Sequence, residues 1–264
     1  MLFKEKNYTI QIPYIFNQYI REYDISKANI NILFAKGAIS KDVYEKLYNS
    51  DRMYRQVFIG KAIRRNPQLQ EILNNGLIEY KQRFFEANGI SDVDIVSIKN
   101  DAVFLLNKIP TIINFDNVCF SHKNTYTSFM KLGELEIYYG QDFNSECIDI
   151  KGIKDEDLEQ YHIEFLDIII NFFRYIQKHG SQVALEYINS IIMDYINLKL
   201  PIGYYRRFRS SNDYVLNTHT VSYGLNDVPD TLEIKRIIDI SHNFGLLRIM
   251  HTYASQILYE EKIN

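Results

Sequence analysis

A chain of 264 residues with 46% hydrophobic side chains can bury a sizeable core as one large domain or two small ones, which excludes a disordered protein. Its formal charge of −3 provides no global basic field, so nucleic acid could be met only by a local basic surface. No apolar run approaches bilayer length and the start "MLFKEKNYTIQIPY" lacks the apolar core of a signal peptide, so no membrane partner is expected.

In chain order, "YTIQIPYIF" and "YIREYDIS" read as short strand segments, followed by the short helices "KANINILFAKG" and "SKDVYEKLYN", which Gly37 separates and Ser40 caps. From Arg52 to Asn88 the period is helical, broken at Asn66-Pro67 because proline restricts the residue before it, and Gly89 closes the second helix. "DIVSIKNDAVFLLN" (94–107) then forms a hairpin with a polar tip, and "NTYTSFMKLGELEIYYG" forms a second one around "LGEL". Beyond residue 155 the pattern becomes helical: "LEQYHIEFLDIIINFFRYIQKHG" ends at Gly180, "SQVALEYINSIIMDYINLKL" is stopped by Pro201, and the tail from Thr231 to Lys262 holds one or two further helices. The expected fold is α+β, with a mixed domain over 1–155, helices at 52–88 within it, and a helical region over 156–264.

Chemistry can be sought in a few places. Asp101 stands at a hairpin tip, where it is either a turn residue or a ligand, and Asp24 stands at a strand end, where it is either a helix-entry residue or a ligand. Arg52, Arg55, Lys61, Arg64 and Arg65 form a run without acids, readable as a phosphate-facing surface or as a solvated helix face. "YYRRFR" (204–209) interleaves aromatics with Arg206, Arg207 and Arg209, a composition suited to bases and phosphates or to interhelical packing with a basic rim. Cys119 and Cys147 lack CxxC spacing and the six histidines lack ligand spacing, which argues against zinc and disulfides and for a reducing, cytoplasmic setting. Without a G-x-S-x-G serine or a Gly-rich phosphate loop, serine-hydrolase and P-loop chemistry are set aside.

Taken in order, these pieces resemble family B DNA polymerases. "YDISKANINIL" (23–33) is similar to their first palm motif, D-x-x-S-L-Y-P-S-I, and "SIKNDAVFL" (97–105) to the D-T-D-S hairpin tip. "LIEYKQRFFEANGI" occupies the place of the helix leading into that hairpin, and "HKNTYTSFMKLGELEIYYG" resembles the K-K-x-Y segment that grips the primer. "CIDIKGI" (147–153) resembles the step before the thumb, and "QVALEYINSIIMDYINLKLPIGYYRRF" resembles thumb helices.

The resemblance implies a reduced palm with rudimentary fingers and a helical thumb-like region, acting as a template-dependent nucleotidyltransferase in DNA replication of a phage-like kind. It implies that Asp24 and Asp101 are catalytic carboxylates holding Mg²⁺ or Mn²⁺. It also implies nucleotide triphosphate near Lys61, Asn29 and Arg65. Primed or single-stranded nucleic acid would lie along Lys123, Tyr126, Lys151, Arg206, Arg207 and Arg209, with partner proteins supplying missing domains and no exonuclease domain ahead of Asp24.

Three departures qualify it. Lys99 replaces the first Asp of the tip and modulates the site, either by pairing with a carboxylate or by turning outward. Asn29 replaces the bulky aromatic that screens the sugar 2′ position. The fingers motif has only a loose echo in "RQVFIGKAIRRNP". A catalytically degenerate, palm-derived nucleic-acid-binding or assembly subunit is the alternative.

Overall fold

The computed structural model describes residues 1–141, 146–153, 162–208 and 234–263, with backbone only at 141 and 234–238. Its elements are β1 (Asn7–Thr9), β2 (Tyr14–Ile25), α1 (Ala28–Ala35), α2 (Lys41–Tyr48), α3 (Arg52–Arg65), α4 (Gln68–Ala87), β3 (Ile95–Lys99), β4 (Ala102–Leu106), β5 (Asn114–Phe115) and β6 (Val118–Leu132). They continue with β7 (Leu135–Gln141), β8 (Glu146–Lys151), α5 (Ile163–His179), α6 (Ser181–Ile196) and α7 (Ile234–Ile263). The class is mixed helix and sheet. Among the described residues no helix is long and apolar enough to cross a membrane.

Two compact units make up the chain: Met1–Gln11 with Gln18–Thr125, and Ile12–Asn17 with Tyr126–Asn264. They do not divide at residue 155, where the change of pattern puts the boundary, but inside the long strands β2 and β6. The reason is burial. Phe120 of β6 belongs to the core of the first unit, whereas Met130 and Leu132 of the same strand belong to the core of the second.

In the first unit the strands run in the order β1-β3-β4-β2, with the opening half of β6 next to β2. β2 lies antiparallel to β4, with Ile20 opposite Leu106 and Asp24 opposite Ala102. The β3–β4 hairpin closes through two residues, Asn100 and Asp101, between the paired Lys99 and Ala102, and Asn100 takes a left-handed φ of 54° that Asn tolerates well. Ile95, Val96, Ile98, Val103, Phe104 and Leu105 are all fully buried, so this hairpin is covered on both faces and reads as continuous apolar runs rather than an alternation.

The helices start and stop where local chemistry directs. Ser40 accepts a hydrogen bond from the Val43 amide (3.4 Å) at the start of α2, and Asp51 accepts one from the Tyr54 amide (2.8 Å) at the start of α3. Asn66, ahead of Pro67, is extended and separates α3 from α4, while Gly89 at φ 59° follows the end of α4. Leu73, Gly76, Tyr80 and Phe84 form the buried stripe of α4. It packs on α1 so closely that a β-carbon at Gly76 would lie 2.3 Å from Cγ2 of Ile32.

The second unit takes the end of β6 with β7 and β8, paired antiparallel, under α5. Phe165, Ile168, Ile169, Phe172, Phe173 and Ile176 of α5 share one core with Met130, Ile137 and Tyr139, and the rings of Tyr139 and Phe173 stack 4.9 Å apart. Gly180, at φ 85°, ends α5 and opens α6 directly.

The close approach at Gly76 gives the first prediction. Gly76→Ala should lower the melting temperature by several degrees, because an overlap against a stiff β-branched side chain costs about 1–3 kcal/mol and outweighs the helix propensity gained. Gly60→Ala, with nothing within 4 Å, should instead raise the melting temperature, since Ala in an open helix position is favoured by up to about 1 kcal/mol. Circular dichroism melts of both variants check the pair.

Candidate functional site

The site is built where β2 ends beside the tip of the β3–β4 hairpin. Asp24 is the last residue but one of β2, and the amide of the next residue, Ile25, donates to the carbonyl of Asp101 at 3.2 Å. Two carboxylates far apart in sequence thereby line one cleft, near enough for the Asp24 charge to act on Asp101. β6 supports them from the other side: the Ser121 hydroxyl donates to the Asp24 carbonyl at 3.2 Å, and the Lys123 ammonium forms an ion pair with the Asp24 carboxylate. Residues 121 and 123 point the same way because side chains on a strand repeat every second residue.

These three groups open on a cleft of about 290 Å³. Its opposite wall is one face of α3, formed by Arg52, Arg55, Gln56 and Ile59, and its end is the first turn of α1 with Lys27 and Asn29. Lys27 is anchored: its ammonium donates to the Tyr48 carbonyl at 2.9 Å and lies 3.4 Å from the centre of the Tyr48 ring. Arg55 is anchored as well, donating to the Ser50 carbonyl.

Burial, and then the neighbouring Asp24 charge, push the Asp101 carboxyl above its ordinary range, while Lys123 opposes them. Burial alone would lower the Lys123 ammonium, but its hydrogen bond to Asp24 and the charge of that carboxylate outweigh the effect and leave it raised. The cleft thus holds the ammoniums of Lys27 and Lys123, the carboxylates of Asp24 and Asp101, of which Asp101 is the raised one, and arginines on the facing helix. Two hard oxygen donors with solvent access suit Mg²⁺, which keeps several waters and takes one or two carboxylates along with substrate phosphates. Among the described residues no group of three or more His, Cys, Asp or Glu is gathered to hold a metal.

The other sequence-derived candidates fall elsewhere. Lys99 does not line the cleft; its ammonium donates to the Thr9 hydroxyl of β1 at 3.0 Å. Lys61 and Arg65 are exposed on α3, turned about half a revolution from the face that lines the cleft. Tyr126 and Lys151 belong to the second unit, where they meet at one carboxylate: the fully buried Tyr126 hydroxyl donates to Asp149 at 3.2 Å and Lys151 pairs with it at 2.5 Å. Arg206 and Arg207, also of the second unit, follow the 3-10 turn Ile202–Tyr205, and the Nε of each is buried with no hydrogen-bond partner among the described residues. Arg209 lies outside the described residues.

Sequence reasoning missed Lys81. On α4 it is 1% exposed, its ammonium donates to the Glu5 carbonyl at 2.5 Å, and the Asp101 charge acts on it. Burial lowers its pKa to about 8. The available signal was its position one turn after Leu77 and one turn before Phe84 and Phe85, on a helix face that is otherwise apolar.

The folded chain therefore binds fewer protons at Lys81 than the unfolded chain between about pH 8 and the ordinary lysine value, and over that window this group makes stability rise with pH. Lys81→Met lacks this dependence. Its melting temperature relative to the wild type should accordingly fall as pH is raised from 7 to 10, and parallel thermal melts in a buffer series read the difference.

No curated protein matches this chain. A family model does match, over residues 1–254, and on that match the chain belongs to the family described as Bacteriophage PBS1 gene 130 protein.

Proposed function

We infer that this protein is a nucleic-acid-associated, template-dependent nucleotidyltransferase built on a reduced palm of the kind seen in family B DNA polymerases. The observation that carries this reading is the meeting of Asp24 and Asp101, from neighbouring antiparallel strands, in a cleft faced by arginines. Phosphoryl transfer builds negative charge on the attacking and leaving oxygens. Mg²⁺ or Mn²⁺, if held by Asp24 and Asp101, would supply its neutralisation.

The chain's own residues have definite tasks in this reading. Asp24 and Asp101 hold the metal, from strand and hairpin positions too short to wander. Arg52 and Arg55 take the triphosphate, the role that sequence order assigns to Lys61 and Arg65. Asn29, exposed at the first turn of α1, borders the sugar. Lys123, half exposed, reaches Asp24 in the resting protein and a phosphate of the primer strand in the loaded one. Arg206, Arg207 and Arg209 meet the nucleic-acid backbone, and partner proteins supply what the rudimentary fingers lack.

A second reading, a catalytically degenerate palm-derived nucleic-acid-binding or assembly subunit, is favoured by one observation. The Lys123–Asp24 ion pair already supplies a cation to the carboxylates.

Primer extension with Mg²⁺ or Mn²⁺, together with Mn²⁺ binding followed by electron paramagnetic resonance, separates the two. In an enzyme, Asp24→Ala and Asp101→Ala each reduce incorporation to background, because residues that act as one unit fail together. Lys123→Met removes the competing charge and should tighten Mn²⁺ binding by about tenfold or more, the scale of one close charge at a partly exposed site. No extension by the wild type, and no gain of Mn²⁺ binding in Lys123→Met over the two alanine variants, would leave the non-catalytic reading.

A further inference from the structure

α3 carries five basic residues and no acidic one between Arg52 and Arg65, and the helix splits them between two sides. Arg52 and Arg55 line the cleft with Gln56 and Ile59. At about 100° per residue, Tyr54, Phe58, Lys61 and Arg65 fall within an arc of about 60° on the other side. That outward side is apolar as well as basic. Tyr54 is 42% exposed and Phe58 37%, their rings stacked 6.3 Å apart and 29° from parallel, with Val57 exposed alongside. Basic residues in the last turn of a helix are explained by its dipole, but that does not explain Lys61, nor two aromatic rings left in water.

We propose that this outward side of α3 is a docking surface for single-stranded nucleic acid, with unpaired bases stacked on Tyr54 and Phe58 and phosphates held by Lys61 and Arg65. Charge complementarity selects a polyanion, since α3 has no carboxylate to attract a basic partner or repel a phosphate. The aromatics select unpaired bases, because a duplex offers no free ring face to stack on. Two rings one turn apart, followed by two cations one and two turns further along, form a track of about 16 Å in which stacking precedes phosphate contact. The surface is distinct from the cleft, so one helix would present the strand on one side and the reacting phosphate on the other. The inference stands on the composition and exposure of α3 and does not require the cleft to be catalytic.

Fluorescence anisotropy with a labelled oligothymidylate, its ribose counterpart and a blunt duplex, without metal or nucleotide, tests it on the full chain. The wild type should bind the single strands in preference to the duplex. Tyr54→Ala and Phe58→Ala should each weaken single-strand binding by about fivefold to a hundredfold, and Phe58→Trp should retain it. Lys61→Ala and Arg65→Ala should each reduce the slope of log K against log salt by about 0.7. These side chains are exposed, and a thermal melt of each variant confirms that the fold is intact. Absence of single-strand binding by the wild type would overturn the proposal, as would aromatic variants that bind like the wild type or lose single strand and duplex equally. Because the readout is binding without metal, failure here leaves the primer-extension result to judge the cleft separately.

Discussion

The antiparallel register of β2 on β4 decides where both carboxylates stand. With Asp24 opposite Ala102, the end of β2 lies against the hairpin tip and the Ile25 amide reaches the Asp101 carbonyl. A slip of one residue would exchange the two faces of β2, turning Asp24 into the core and Tyr23 or Ile25 out of it. That exchange is opposed by burial, since Tyr23 and Ile25 share a core with Ile98, Val103 and Leu105. Fully burying an aliphatic side chain is worth roughly 1.5–3 kcal/mol, so the hydrophobic residues on either side of Asp24 hold a charge at the cleft that they never touch chemically.

The same register sets the electrostatics. Burial and the Asp24 charge raise the Asp101 carboxyl and Lys123 on β6 opposes them, while the arginines of α3 stand across the cleft and Lys81 in the interior feels the Asp101 charge. Lys81 is the costly member of that set. It lies among Tyr80, Phe84 and Phe85, and a buried ammonium is tolerated only with a hydrogen-bond acceptor, here the Glu5 carbonyl. A chain whose net charge is close to neutral thus concentrates both signs of charge in one place.

α3 illustrates how a helix with little amphipathic character can still be organised. Only Ile59 is fully buried along it, so its position rests on its caps and on its neighbour α4, and most of its circumference remains open. Asp51 at one end and the Asn66-Pro67 break at the other set its length and hence which basic residues turn toward the cleft.

Much of this protein was legible in its sequence, because much of it is local. The polar tip between two apolar runs specified the hairpin, Ser40 and Gly89 marked helix ends, proline divided 52–88, and the spacing of apolar residues revealed the helices at 163–179 and 181–196. The placing of Asp24 and Asp101 on one cleft leaves no local trace in either segment, because strand pairing joins residues far apart in the chain. Tertiary structure alone decided the rest. The units part inside β2 and β6 because a long strand carries the same alternation whichever core receives it. Lys123 and not Lys99 came to hold Asp24, Lys99 reached Thr9 instead, and Lys61 and Arg65 turned away from the cleft. For Lys99 and Lys123 the outcome follows from where a flexible cationic side chain finds its nearest acceptor, and for Lys61 and Arg65 from which face of α3 meets the cleft, both of which depend on how elements are placed against one another.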